Sequence, residues 1–130
     1  MPVSTMPVRG TAVALLAALA VAAPSVAAAG EADVVRVEIR AEGPGLWRFD
    51  VAVRHDDEGW DHYADRWDVV GPGGAVLGTR VLLHPHETEQ PFTRSLSGVA
   101  IPDGVAEVTV RAHDKVHGYG GREMTVRLPR

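Results

Sequence analysis

The 130-residue chain carries 17 acidic and 13 basic residues, six histidines and no cysteine, for a formal net charge of −4 with histidine neutral. That balance argues against nucleic acid, whose phosphates demand a basic face, and no polybasic segment is present to meet anionic lipid. The missing cysteines rule out a disulfide framework, so burial and β-ladders must hold the fold.

Residues 1–29 contain one basic residue, Arg9, and no acidic one. An apolar stretch from Thr11 to Ala23 follows, Pro24 and Ser25 break it, and Val26-Ala27-Ala28-Ala29 closes the segment. A positive start, an apolar stretch and an A-x-A site make the signature of a secretory signal peptide, with the cut expected after Ala29. The apolar run, about 13 residues, is shorter than the roughly 20 that span a bilayer, so no membrane span is expected after cleavage. With no cysteine before the cut, a lipoprotein anchor is not expected. Residues 30–130 then form one domain, and a periplasmic or secreted location follows. This part holds all 17 acidic residues and all the basic ones except Arg9, a net charge of −5.

Period-two alternation, the mark of β-structure, dominates residues 30–130. The first run sets Val35, Val37 and Ile39 against Arg36, Glu38 and Arg40, and the second Trp47, Phe49, Val51 and Val53 against Arg48, Asp50 and Arg54. The third places Tyr63, Trp67 and Val69 opposite Arg66 and Asp68, and the fourth aligns Leu77, Thr79, Val81 and Leu83. A fifth, less regular run covers Phe92 to Gly98. The sixth sets Ala106, Val108, Val110 and Ala112 against Glu107, Thr109 and Arg111, and the seventh Met124, Val126 and Leu128 against Glu123, Thr125 and Arg127. Gly43-Pro44-Gly45, Gly71-Pro72-Gly73-Gly74 and Pro102-Asp103-Gly104 punctuate the runs as turns. The pattern predicts an all-β, seven-stranded antiparallel β-sandwich. Trp67 is expected between the sheets with Val37, Phe49, Val51, Val108 and Val110, and Trp47 and Phe92 also read as core.

Trp67 in the third run and the Ile101-Pro102-Asp103-Gly104 turn before the sixth resemble the immunoglobulin-like and fibronectin type III group. The corner tyrosine and the cysteine pair of many such domains are absent. The resemblance covers about residues 33–129 and implies a fold without a function. The segment from Asp61 to Leu96 is also similar to small secreted bacterial proteins that are uncharacterised.

If successive strands alternate in direction, the second, fourth and sixth loops share one end of the sandwich. His55 and His62 flank the second loop, His84 and His86 belong to the fourth, and His113 and His117 to the sixth. Trp60, Tyr63, Tyr119, Asp61 and Asp114 lie in or beside the same loops, whereas the odd loops are short Gly/Pro turns. Long loops on a rigid scaffold are where binding residues collect. In His84-Pro85-His86 an extended backbone would project both imidazoles to one side, as a metal needs. His113 or His55 is the expected third ligand, and Asp114 could complete or orient the shell. Neutral imidazole suits Cu²⁺ or Zn²⁺. The acidic run Asp56-Asp57-Glu58 with Asp61 and Asp65 lacks EF-hand spacing and reads as a solvated loop.

Three readings follow for this exported module. It binds Cu or Zn at the histidine-rich end; or it recognises a protein or glycan there without metal, through Trp60, Tyr63 and Tyr119; or, least favoured, it is a metal-dependent hydrolase. No catalytic residue is assigned: Ser95 and Ser97 have no G-x-S-x-G context, and no glycine cluster has phosphate-loop spacing.

Overall fold

The computed structural model describes residues 30–130; the signal peptide expected over residues 1–29 lies outside them. Seven strands follow in order: β1 (Asp33–Gly43), β2 (Leu46–Arg54), β3 (Ala64–Val70), β4 (Val76–Val81), β5 (Phe92–Ala100), β6 (Glu107–Asp114) and β7 (Met124–Arg127). They form two antiparallel sheets, ordered β1-β2-β5 and β4-β3-β6-β7. A 3₁₀ turn at Pro72–Gly74 joins β3 to β4, with Gly73 and Gly74 at positive φ. Among the described residues no helix is long and apolar enough to cross a membrane.

One cluster of buried side chains draws on both sheets: Trp47, Phe49, Val51 and Val53 from β2, Trp67 and Val69 from β3, and Val108, Val110 and Ala112 from β6. Trp67 is fully buried, with Val37 and Leu77 packed at the edge of the cluster. Of the partners expected for it from alternation, Phe49, Val51, Val108 and Val110 belong to this core and Val37 packs against it.

Three phases differ from simple alternation, each beside an irregularity of the ladder. A register shift between Val34 and Arg36 turns Val34 inward and leaves Val35 half-buried. A shift between Ala64 and Arg66 gives the core position to Ala64, so Tyr63 does not share Trp67's side. In β4 the pairing slips where Val70 meets Val76 and Val69 meets Gly78. Beyond the slip Leu82 is buried, while Val81 and Leu83 are exposed. A bulge adds one residue to one strand, and one residue inverts every side chain that follows.

Candidate functional site

The antiparallel order brings the β2–β3, β4–β5 and β6–β7 loops to one end. The buried phase of β2 runs past the strand, since Trp47, Phe49, Val51, Val53, His55 and Asp57 are all buried. The buried phase of β6, through Val108, Val110 and Ala112, likewise ends on Asp114. Polar groups therefore occupy the last inward positions, and each must find a partner there.

Asp57 and Asp114 have fully buried side chains on either side of His55, whose own side chain is fully buried. The His55 Nδ1 lies 2.5 Å from Asp57 Oδ1. Its Nε2 is 2.9 Å from the Gly30 carbonyl oxygen and 3.5 Å from Asp114 Oδ2. Asp57 also accepts the backbone N–H of Ala64 at 3.0 Å and of His86 at 2.6 Å. Asp114 Oδ1 accepts the N–H groups of Val116 at 2.8 Å and His117 at 2.6 Å, closing the turn after β6.

His62 repeats the arrangement of His55. Its Nδ1 lies 2.8 Å from Glu58 Oε1, and its Nε2 is 3.3 Å from the Gly30 oxygen and 3.6 Å from Asp114 Oδ1. The two imidazole rings meet edge to face at 4.8 Å. His117 closes the group, with Nδ1 3.3 Å from both Asp114 oxygens and its ring 5.1 Å from that of His62. One ligand atom each from His55, His62 and Asp114 lies within 4.8 Å of the others.

The electrostatics follow from this crowding. Burial pulls the His55 pKa down, but the hydrogen bond and charge of Asp57, the charge of Asp114 and the Gly30 carbonyl outweigh it and hold the pKa above 6.5. Burial pushes Asp57 up, and its bonds from His55, His86 and Ala64 more than reverse that. Asp114 is lowered too: burial raises it, and the N–H groups of His117 and Val116 overcome that. All three shifts favour the charged forms, an imidazolium at His55 and carboxylates at Asp57 and Asp114.

The His84–His86 pair, expected to nucleate a metal site, lies outside this group. The rings do meet, with centroids 4.6 Å apart. His84 is exposed, however, and its Nδ1 lies 3.1 Å from the Pro85 carbonyl. His86 turns inward and stacks on Phe92 at 4.1 Å and 12°. Both its ring nitrogens are buried without a hydrogen-bond partner, although Nδ1 comes within 3.9 Å of Asp57 Oδ2. Burial, then the charges of Arg94 and His84, lower its pKa, which favours the neutral ring. It packs as an aromatic plate. Replacing it with phenylalanine keeps the stack, removes two unpaired polar atoms and retains the backbone bond to Asp57. His86→Phe is expected to raise stability by about 1–3 kcal/mol in a thermal melt, the desolvation cost removed. A loss of that size would mean that the ring has a polar role.

His113 is apart as well: its Nδ1 bonds Asp65 Oδ1 at 2.6 Å and its ring abuts Tyr119. Tyr119, expected as a contact residue, is committed to the sheet. Its hydroxyl donates to Asp68 at 2.6 Å, and Arg111 lies over its ring at 4.0 Å. Tyr63 is buried, which leaves Trp60 as the exposed aromatic of the expected surface, with Asp61 exposed beside it. The acidic run offers no oxygen cage, because both Asp57 oxygens face nitrogen donors. Asp57 was not among the expected site residues; its place in the inward phase of β2 was the signal. Two surface concavities, one around Val70, Pro72 and Val108 and one around Ile39 and Asp50, include no histidine.

Fold and site together define a small all-β module with a buried histidine–carboxylate cluster at one end. A Halomicrobium mukohataei protein named "Putative lipoprotein" is 48% identical to this chain over 96 residues, 74% of this chain and 47% of that protein. The chain thus spans about half the length of the curated relative it matches. No family model matches the chain, and no solved structure matches it.

Proposed function

We propose that this chain is an exported module, periplasmic or secreted, that binds Cu²⁺ or Zn²⁺ through His55, His62 and Asp114. One observation carries the reading. The Nδ1 atoms of His55 and His62 are each held by a carboxylate, Asp57 and Glu58, while both Nε2 atoms turn to Asp114. Ligating histidines are oriented in this way by an outer carboxylate. A tetrahedral ion with bonds of about 2.0–2.1 Å spaces its ligand atoms about 3.3–3.4 Å apart. The Nε2–Asp114 distances, 3.5 Å from His55 to Oδ2 and 3.6 Å from His62 to Oδ1, are close to that for a carboxylate that offers both oxygens. His117 stands beside them as a further donor. Export is supported by the order Arg9, apolar stretch, Ala27-Ala28-Ala29 and by the relative's name. The strand order supports the immunoglobulin-like or fibronectin III-like assignment.

A metal-free recognition module for a protein or glycan is the second reading. It is favoured by Trp60, Leu83 and Val116, one large apolar side chain from each loop of this end, exposed by 62%, 73% and 60%. Metal titration separates the two. A ligand at 100 times its Kd stabilises the folded state by about 2.7 kcal/mol, or a Tm rise of about 10 °C or more for a domain of this size. Micromolar Zn²⁺ or Cu²⁺ is expected to give that rise with untagged protein. His62→Ala, at a partly exposed site, is expected to abolish it, and the double variant His84→Ala, His86→Ala to retain it. No rise, or the same rise in His62→Ala, would leave the recognition reading.

A further inference from the structure

Gly30 precedes the first strand and belongs to none of the three loops, yet it touches the cluster. Its carbonyl oxygen stands 2.9 Å from His55 Nε2 and 3.3 Å from His62 Nε2, the two nitrogens that turn to Asp114. A Cβ on Gly30 would come within 2.8 Å of His117 Cε1, and the backbone has φ +89°. Only glycine meets both demands comfortably, so the chain can pass directly against the third imidazole.

The residues after Gly30 are clamped to the β6–β7 loop. Val34 N–H donates to the Arg122 carbonyl at 2.8 Å, and Arg122 N–H donates to Asp33 Oδ1 at 2.8 Å. Ala32 is buried. A Cβ on Gly121 would collide with the Ala32 carbonyl, and one on Gly120 with the Glu31 carboxylate. The two glycines let residues 31–32 lie flat along the loop. This is close packing for a stretch that follows the expected cut, where a plain tether would need none.

We infer that Gly30 is itself a ligand of the site and that removal of residues 1–29 completes it. The inference rests on the metal-binding reading above and on the cut expected after Ala29. Hydrolysis of the Ala29–Gly30 peptide bond adds one water, leaving a carboxylate on Ala29 and an amine on Gly30. Before the cut this nitrogen is an amide, whose lone pair is delocalised into the carbonyl and binds metal poorly. After it, the nitrogen is a free α-amine, whose localised lone pair can bind a metal. An α-amine and the carbonyl oxygen of the same residue close a five-membered chelate ring on one ion. The Gly30 oxygen already lies at ligand-to-ligand spacing from both Nε2 atoms. Amine, imidazole and oxygen donors together favour Cu²⁺ in a tetragonal arrangement. The precursor would therefore bind copper weakly, and the site would form fully only on the processed protein.

The test compares protein beginning at Gly30 with the same protein retaining Ala28-Ala29 before it. Each is titrated with Cu²⁺ alone and followed by calorimetry and by the visible ligand-field band. Metal-free melting temperatures check that both fold alike. The Gly30 form is expected to bind at least about tenfold more tightly, the scale on which ligand-shell changes act. Its band should lie at shorter wavelength, because a nitrogen replaces an oxygen donor. Equal affinity and an identical band would overturn the role of Gly30 while leaving the histidine site standing. If neither form binds Cu²⁺, or if His62→Ala in the Gly30 form binds as wild type, the metal reading fails and takes this inference with it.

Discussion

Trp67→Ala is expected to bring the protein close to unfolding, while Trp60→Ala leaves it nearly intact. Trp67 is the largest fully buried side chain and sits on β3, between β4 and β6. It pairs with Arg80 on one side and Ala112 on the other, in the four-stranded sheet that closes over Phe49 and Val51. Truncating a buried tryptophan costs about 3–5 kcal/mol. Domains of this size have about 5–15 kcal/mol in total, and no disulfide is present to hold the chain when packing is lost. Trp60 is 62% exposed, and its main contact is an edge-to-face pair with Tyr63 at 5.7 Å. Losing that pair costs about 0.5–1.5 kcal/mol. Urea denaturation of both variants checks the contrast. Equal losses would show that the strand containing Trp67 and the loop containing Trp60 are wrongly distinguished.

The same two tryptophans show what could be read from the sequence. Alternation depends only on side chains pointing up and down along an extended chain, so the inward residues Trp47, Phe49, Val51 and Val53 of β2 and Val108, Val110 and Ala112 of β6 were legible, whereas Ala106, expected with them, is exposed. Phase was lost where the ladder carries an extra residue, at Val35, at Asp65 and at the β3–β4 slip. A bulge is a property of paired strands and leaves no mark on either strand alone. The meeting of the histidine loops at one end followed from strand parity, which bulges do not change. Which histidines converge did not follow. His84-Pro85-His86 gave the strongest local pattern, but His86 is captured by Phe92, a partner that spacing cannot reveal. His55 and Asp114 gave a quieter signal, as inward positions where β2 and β6 run into their loops. Gly30 gave none, because its place depends on loop six folding back over residues 31–33.

The protonation of His55 separates a structural cluster from a metal site, because a proton and a metal compete for the same Nε2. The His55 pKa is raised, so its contribution to metal-free stability is complete below 6.5 and lost as pH climbs through the folded value. The Asp57 pKa is lowered, so its contribution is present above 3.8 and lost as pH falls through the folded value. His86, lowered, acts in the opposite sense to His55, but its window lies below 6.5 and leaves the alkaline side to His55. Metal-free protein is therefore expected to melt highest near pH 6.5, about the ordinary histidine value, and to lose stability on both sides. Asp57→Asn leaves His55 and two backbone donors with a poorer acceptor. It is expected to cost about 3–5 kcal/mol, as breaking a buried pair does, and to flatten the alkaline limb. With saturating Zn²⁺ the wild type should reverse that limb. The metal-induced rise in Tm grows with pH, because each bound ion no longer has to displace the His55 proton. Opposite slopes with and without metal above pH 6.5 are the expected result. Parallel slopes would mean that His55 keeps its proton, and that the cluster only braces the loops.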